Sequence, residues 1–203
     1  MKTTANAKRA IWANALNVPN LLTALRLVLA VLLFCTMAFA MAEVGIVLFL
    51  AAAVTDWLDG FIARRYELVT TLGRILDPFA DKVVVCGTFI FLVADPRMTK
   101  VPWGLRAWMV VVIVGRELLV TALRSFIEEQ GGDFSAKMSG KLKMVFQCVA
   151  AVACLIYLAY GLPTDQVPAW SWGLLVASVW AAVLLTIVSG VGYVLTAVKL
   201  LRS

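Results

Sequence analysis

Asp56-Trp-Leu-Asp59-Gly60-Phe-Ile-Ala63-Arg64, then eight residues, then Gly73-Arg-Ile-Leu-Asp77-Pro-Phe-Ala-Asp81 is the stretch that decides the fold. It places four aspartates within a strongly apolar chain. The apolar run before it, residues 44–54, is too short to cross the bilayer, because a spanning helix needs about 20 mostly apolar residues. That run reaches the required length only when Asp56 and Asp59 are included. Likewise, the apolar run that begins at Val83 reaches this length only when Asp81 is included. The stretch therefore predicts two membrane helices that carry carboxylates.

The composition of the whole chain indicates that lipid is its solvent. Hydrophobic residues make up 63% and charged residues only 15% of the 203 residues, and the mean hydropathy is +0.94. A soluble domain carries roughly 25% charged residues, so one soluble core cannot hide this much apolar surface. We predict an all-α integral membrane protein with six transmembrane helices, at about residues 19–41, 43–63, 78–95, 104–126, 141–161 and 170–198.

The segment before the first predicted span has a different pattern. Residues 2–18 mix basic side chains such as Lys8 and Arg9 with apolar ones such as Ile11 and Trp12. This mixture is typical of a short amphipathic helix at the membrane interface. No linker rich in Ser, Gly or Pro divides the remaining sequence. We therefore expect an amphipathic juxtamembrane segment at 1–18 and one six-helix transmembrane domain at 19–203.

The basic residues predict the orientation in the membrane. With the N-terminus inside, the outer loops hold only Arg97, Lys100 and Arg106 of the 18 lysines and arginines. Cytoplasmic segments are generally enriched in such residues, so both termini are expected on the cytoplasmic side of a bacterial cytoplasmic (inner) membrane. The net charge is +6, and most of the basic residues lie on one side of the membrane. Anionic lipid or an anionic substrate is therefore expected as partner, and nucleic acid is not.

The spacing of the four aspartates indicates a site for divalent cations. The chain contains no histidine, which excludes a Ser-His-Asp triad and a histidine-based zinc site. On a helix, Asp56 and Asp59 are i,i+3 neighbours, and Asp77 and Asp81 are i,i+4 neighbours. Four carboxylates cannot all stay ionised in a low-dielectric site without cations, and two hard divalent metals fit them. The alternative is that the aspartates are loop and cap residues, with Asp77 as an N-cap.

The same stretch resembles the signature of the CDP-alcohol phosphotransferases, D-x-x-D-G-x-x-A-R-x8-G-x3-D-x3-D, and every defining position is filled. The resemblance implies a six-helix membrane enzyme, usually a homodimer, which uses Mg²⁺ or Mn²⁺. Such enzymes transfer a substituted phosphoryl group from a CDP-linked donor to an alcohol and release CMP. The resemblance also implies that Asp81 is the general base, that the metal ligands are Asp56, Asp59, Asp77 and Asp81, and that the CDP pocket includes Gly60, Ala63, Arg64 and Gly73.

Three further stretches resemble the phosphatidylglycerophosphate synthases within that family. They are Asn17-Val-Pro-Asn20-Leu-Leu-Thr23-Ala-Leu-Arg26 and the segment from Gly115 to Arg124, together with Gly140-Lys141-Leu-Lys143. This resemblance implies that CDP-diacylglycerol is the donor and that sn-glycerol 3-phosphate is the acceptor. The products would be phosphatidylglycerophosphate and CMP, in a step of phospholipid biosynthesis.

Basic residues on the cytoplasmic side favour a phosphorylated acceptor independently of the resemblance. We expect its phosphate to be bound by four of them, namely Arg116, Arg124, Lys141 and Lys143. Ordinary positive-inside topology explains Lys143 equally well. Asn20, Thr23 and Arg26 share a loose helical face and are candidates for a site role, although polar residues of this kind also serve in helix packing.

Two alternatives to this function remain open. Another CDP-alcohol phosphotransferase would carry the same aspartates and accept inositol phosphate, serine or phosphatidylglycerol. An ion-coupled transporter would also place carboxylates within the membrane. Transporters often have inverted repeats and paired broken helices near the midplane, whereas here a single polar region lies near one face. The enzyme is therefore the favoured interpretation.

Overall fold

The computed structural model describes residues 18–66, 71–129, 138–161 and 167–202. These residues contain no strand, and their helices are α1 (Val18–Ala38), α2 (Ala42–Tyr66), α3 (Thr71–Ala94), α4 (Pro96–Thr99), α5 (Ala107–Glu129), α6 (Met138–Tyr160) and α7 (Ala169–Arg202). The predicted all-α class is confirmed, and each of the six predicted spans corresponds to one long helix. The short helix α4 was not predicted. Residues 1–17, which include most of the predicted amphipathic segment, lie outside the described residues.

Three helices contain segments that are long and apolar enough to cross a membrane by length and composition, namely Asn20–Ala38, Lys143–Tyr160 and Ala169–Val198. Helices α2, α3 and α5 have 23 to 25 residues, but charged residues interrupt their apolar sequence. Large apolar side chains are exposed on several helices, for example 66% of Val47 and 70% of Val111. These features identify a membrane protein, whereas the crossing of the membrane by all six long helices remains a prediction.

Of the residues that the structure describes, those up to Gly87 form one compact unit, in which α1 packs against α2. A three-residue turn joins the two helices, and Ala40 adopts a left-handed backbone conformation there, with φ 58°. The N–H of Ala40 donates to Met37 O at 3.0 Å, and the N–H of Met41 donates to Thr36 O at 2.8 Å. This pair of bonds is the Schellman motif, which satisfies carbonyls at the end of α1. The turn therefore returns the chain along α1 and brings α2 against it.

Small buried residues allow close packing in this first unit. Ala30, Ala52 and Ala80, one on each helix, are at most 1% exposed. Gly87 of α3 faces the ring of Phe34 on α1 so closely that a Cβ at this position would overlap the ring. Small residues at helix interfaces let backbones approach, which is how membrane helices commonly gain packing contacts.

Helix α3 begins before Pro78 and continues through it. The helix starts at Thr71, so Pro78 lies in its interior, and the Nζ of Lys82 donates to the Pro78 carbonyl at 3.0 Å. The alternative interpretation, in which Asp77 caps a helix that starts at Pro78, is therefore wrong. Asp77 and Asp81 lie on the same helix, as the motif spacing predicts.

The described residues from Thr88 onward form a second compact unit, in which α7 packs against both α5 and α6. Leu155 and Leu175 are fully buried, and the buried amide of Gln147 donates to the hydroxyl of Thr186 at 3.1 Å. Such a bond satisfies two polar groups inside an apolar interface. Between α4 and α5, the carbonyls of Pro102 and Trp103 accept hydrogen bonds from indole N–H groups of α7. Helix α7 is thus fixed along α5, α6 and the loop before α5.

Candidate active site

The aspartate motif divides between two consecutive helices. Asp56 lies in α2, ten residues before its end, and Asp81 lies in α3, ten residues after its start. The motif spacing is therefore realised on helices, as the sequence predicts. The side chains of several proposed site residues lie outside the described part of the structure, namely those of Asp59, Gly60, Ala63, Arg64, Gly73, Asp77 and Lys141.

Arg26 of α1 joins the two halves of the motif. Its Nη1 lies 2.5 Å from Oδ1 of Asp81 and 3.0 Å from Oδ1 of Asp56. The arginine side chain is 1% exposed, whereas the two carboxylates are 32% and 31% exposed. A single buried nitrogen therefore holds carboxylates from α2 and α3 together, while both carboxylates keep a solvent-accessible side.

The face of α1 that carries Arg26 is polar and buried. Asn20, Thr23 and Arg26 follow one another at three-residue intervals, and their exposed fractions are 7%, 0% and 1%. Buried polar groups in a membrane helix are costly unless they have partners, and each of these residues makes polar contacts. The three side chains that the sequence singled out therefore lie in the interior of the unit that contains Asp56 and Asp81.

The donor atoms at this point fit a hard divalent cation. Mg²⁺ and Mn²⁺ prefer carboxylate oxygen ligands, and the carboxylates of Asp56 and Asp81 both reach Nη1 of Arg26 while about a third of each side chain stays exposed. Among the described residues, no cluster of three or more metal-ligating side chains occurs. Because Asp59 and Asp77 are not among the described side chains, the four-aspartate metal site remains a prediction.

A second charged cluster lies within the unit formed by α5, α6 and α7. The Oε1 of Glu117 accepts a hydrogen bond from Nη1 of Arg116 at 3.1 Å, and the same oxygen forms an ion pair with Nζ of Lys143 on α6. The exposed fraction of the side chain is 9% for Arg116, 13% for Glu117 and 6% for Lys143. One carboxylate therefore faces two buried cations, and the cluster retains an excess of positive charge.

Arg116 also contacts α7. Its Nη2 donates to the hydroxyl of Ser189 at 2.5 Å, and its guanidinium lies 5.3 Å from the centre of the Tyr193 ring, within the range of a cation–π contact. The Nε atoms of Arg116 and Arg124 are buried and have no hydrogen-bond acceptor among the residues that the structure describes. Buried donors of this kind call for an acceptor, and a phosphate oxygen is a chemically suitable one.

The sequence indicated some of these contacts and missed others. Glu117 directly follows Arg116 in the sequence, which makes a contact between the two plausible, and the structure pairs Glu117 both with Arg116 and with Lys143 of α6. Ser189 and Tyr193 were not identified as partners of Arg116. Their only signal was a hydroxyl and a phenol four residues apart on α7, and other polar side chains of α7, such as Thr186, take part in helix packing.

Comparison with known proteins shows the family. Residues 16–191 match the family model described as CDP-alcohol phosphatidyltransferase. The CDP-diacylglycerol–glycerol-3-phosphate 3-phosphatidyltransferase of Bacillus subtilis (strain 168) is 40% identical over 149 residues, which are 73% of this chain and 70% of that protein. A probable phosphatidylglycerophosphate synthase of Mycobacterium tuberculosis (strain CDC 1551 / Oshkosh) is 33% identical over 193 residues, which are 92% of this chain and 84% of that protein.

A relative with a different name is also similar. A cardiolipin synthase (CMP-forming) of Oryza sativa subsp. japonica is 37% identical over 135 residues, which are 63% of this chain and 40% of that protein. The relatives therefore agree on the reaction class and differ in the acceptor that their names imply. The family match covers both charged clusters and nearly all of the described helices. The chain therefore belongs to the CDP-alcohol phosphatidyltransferase family and is an enzyme of that class.

Proposed function

We propose that this enzyme transfers a phosphatidyl group from CDP-diacylglycerol to sn-glycerol 3-phosphate, in a reaction that depends on Mg²⁺ or Mn²⁺. The products are phosphatidylglycerophosphate and CMP. The observation that carries the proposal is the meeting of Asp56 and Asp81, from two helices, at one nitrogen of Arg26. This meeting supports a shared role for the two ends of the aspartate motif.

The four aspartates of the motif have two roles in the proposed reaction, metal binding and proton transfer. Asp56, Asp59, Asp77 and Asp81 would hold two divalent cations, and bound cations there would supply positive charge to the pyrophosphate and to the leaving group. Gly60, Ala63, Arg64 and Gly73 form the CDP pocket, in which the guanidinium of Arg64 binds phosphate oxygens. Since the chain has no histidine, a carboxylate must accept the proton of the acceptor hydroxyl, and Asp81 is assigned this role.

The transfer itself is an in-line displacement at phosphorus. The hydroxyl of the acceptor loses its proton to the Asp81 carboxylate, and its oxygen forms a bond to the β-phosphorus of CDP-diacylglycerol. The bond from that phosphorus to the bridging oxygen breaks, and CMP leaves with the electron pair. Phosphoryl transfer of this kind depends mostly on positioning and charge stabilisation, which the fixed geometry of Arg26, Asp56 and Asp81 favours.

The second charged cluster supports the choice of a phosphorylated acceptor. Arg116 and Lys143 are buried cations that contact the same carboxylate, that of Glu117. The buried Nε atoms of Arg116 and Arg124 have no hydrogen-bond acceptor among the described residues. We assign Arg116, Arg124, Lys141 and Lys143 to the phosphate of glycerol 3-phosphate. The names of the Bacillus subtilis and Mycobacterium tuberculosis relatives agree with this acceptor.

The remaining features of the proposal concern the membrane. All six long helices cross it, the amphipathic segment 1–18 lies along it, and the domain 19–203 carries the reaction. The excess of basic residues on one side supports an active site at the cytoplasmic face of a bacterial inner membrane. There, the acyl chains of the donor remain in lipid while the polar acceptor arrives from water. By its likeness to the family, the enzyme acts as a homodimer.

CMP release by the purified enzyme tests the proposal. The enzyme in detergent receives CDP-diacylglycerol and Mn²⁺ or Mg²⁺, with glycerol 3-phosphate, inositol phosphate, serine or phosphatidylglycerol as acceptor, and EDTA serves as the metal control. Release that requires glycerol 3-phosphate and stops with EDTA is the expected result. Release with a different acceptor would overturn the substrate assignment, and release that persists in EDTA would overturn the metal dependence.

Phosphatidylglycerol is the second candidate acceptor. The similarity to a cardiolipin synthase favours it, since that name implies a lipid alcohol. A lipid acceptor without a phosphomonoester would not need a cluster with two buried cations. The same assay separates the candidates, because cardiolipin and phosphatidylglycerophosphate differ in their mobility in thin-layer chromatography.

A further inference from the structure

Arg26 has an environment that ordinary helix packing does not require. It lies in α1, within the segment Asn20–Ala38 that is apolar enough to span a membrane, and its side chain is 1% exposed. A buried guanidinium is costly unless charges and hydrogen bonds compensate it. Here the compensation comes from two carboxylates on two different helices, both within reach of the same Nη1 atom.

This shared atom has consequences for the carboxylates. Two like charges close to one another in a low-dielectric site repel, and a cation between them offsets that repulsion. A hydrogen bond at 2.5 Å also restricts the orientation of the Asp81 side chain. Arg26 therefore both lowers the net negative charge at this point and fixes the carboxylate that the proposed mechanism uses as base.

We propose that Arg26 is a positioning residue and an internal counter-ion, which orients Asp81 beside Asp56 and moderates the affinity of the aspartates for divalent cations. The proposal rests on the metal-dependent function proposed above and assigns Arg26 a defined part in it. Charge and geometry make separate contributions. The positive charge sets the affinity for a cation, whereas the position of Nη1 between the two oxygens sets the orientation of Asp81.

Two variants separate these contributions. Arg26→Gln removes the positive charge, whereas Arg26→Lys keeps the charge but replaces the planar fork with a single ammonium group. Because the guanidinium of Arg26 contacts the carboxylates that would hold a divalent cation, it would repel that cation, and loss of its charge would relieve this repulsion. We therefore expect the Arg26→Gln variant to bind Mn²⁺ at least about tenfold more tightly and the Arg26→Lys variant to stay within about twofold of the wild type.

The experiment measures Mn²⁺ binding to the purified full-length protein by electron paramagnetic resonance of the free ion. In parallel, the Tm is recorded in EDTA and in excess Mn²⁺. Arg97→Gln is the matched control, because Arg97 also pairs with a carboxylate, that of Asp95, but outside the aspartate motif. In Arg26→Gln, Mn²⁺ should raise the Tm by at least about 4 °C more than in the wild type, and in Arg97→Gln by the same amount as in the wild type.

Catalysis provides a second readout. Because both variants lose the bond that orients Asp81, kcat should fall at least about tenfold in each, even though their Mn²⁺ affinities differ. Unchanged or weaker Mn²⁺ binding in Arg26→Gln would overturn the proposal. So would a Tm of Arg26→Gln that lies below the wild-type Tm by the same amount in EDTA and in Mn²⁺, because Arg26 would then only fill space. Failure of the wild type to bind Mn²⁺ would instead overturn the metal-dependent function itself.

A further variant covers the case in which Arg26→Gln does not fold. The double variant Arg26→Gln with Asp81→Asn removes the cation together with one of its carboxylates, so fewer buried charges lack a partner. Its Tm in EDTA should exceed that of Arg26→Gln alone. If the double variant is as unstable as the single variant, the charge pairing is not what Arg26 contributes, and the proposal is wrong.

Discussion

Lys143 of α6 forms an ion pair with Glu117 of α5, and both side chains are almost completely buried. The ion pair connects α5 to α6 through charged groups that lie among largely apolar side chains. Burying an ion pair in this way rarely gains stability over well-packed apolar side chains. Its presence therefore points to a function, and the second cation on the same Glu117 oxygen, Arg116, points to a function that involves an anion.

The replacement of Lys143 by Met tests this assignment. Because one hydrogen bond to a charged group contributes roughly 1.5–3 kcal/mol, we expect the KM for glycerol 3-phosphate to rise about tenfold or more. The KM for CDP-diacylglycerol should change little. Steady-state CMP release at varied concentrations of each substrate measures both constants. Lys100→Met changes an exposed lysine between α4 and α5 and is the control; equal effects of the two substitutions would contradict the assignment.

Most of the fold could be predicted from the sequence, because lipid imposes a simple rule on it. Apolar segments of about 20 residues must be helical to satisfy their backbone hydrogen bonds, and every predicted span became a helix. The boundaries of α3 could not be predicted from hydropathy. Its first turns carry the polar end of the motif, and helix α3 continues through Pro78, although a proline in a sequence favours a helix boundary.

The site was predictable in its residue types but not in its pairing. The motif identifies Asp56 and Asp81, and the loose helical face of Asn20, Thr23 and Arg26 makes Arg26 a candidate for a site role. Nothing in the spacing reveals that Arg26 contacts both, since the three residues are far apart in sequence. Ser189 and Tyr193 could not be identified as partners of Arg116 for the same reason: a hydroxyl or phenol on a membrane helix has many uses.

Asp81→Asn tests the role of Asp81 as base. The amide keeps the shape of the carboxylate but cannot accept the proton of the acceptor hydroxyl, and general-base catalysis typically contributes a factor of about 10²–10⁴. We expect kcat to fall by about that factor, measured as CMP release at saturating substrates. Asp95→Asn is the control, because Asp95 is a helix N-cap outside the motif, and its kcat should remain close to that of the wild type. Retention of full activity by Asp81→Asn would rule out this carboxylate as the base.

Gly190 provides a test of how finely Arg116 must be placed. A Cβ at Gly190 would lie 3.1 Å from Cγ of Arg116, which is tight enough to displace the arginine by a few tenths of an ångström. We expect Gly190→Ala to raise the KM for glycerol 3-phosphate several-fold, since small misplacements of a positioning group reduce rates strongly. Gly192→Ala, two residues along α7, meets no neighbouring atom within 4 Å and should leave the KM unchanged. The same KM in both variants would show that the position of Arg116 does not matter for the acceptor.

The contact between Gly87 and Phe34 tests the packing that holds α3 against α1. Adding a methyl group where a Cβ overlaps a ring forces the ring or the helix to move, and overpacking of this kind typically costs about 1–3 kcal/mol. Replacement of glycine by alanine in a helix otherwise gains up to about 1 kcal/mol, so the expected net result for Gly87→Ala is a lower Tm. Gly173→Ala, with no atom within 4 Å of the new Cβ, should show the gain alone. If the overlap with Phe34 is the cause, Phe34→Leu should restore most of the Tm lost in Gly87→Ala, whereas a loss that persists in the double variant would place the cause elsewhere in α3.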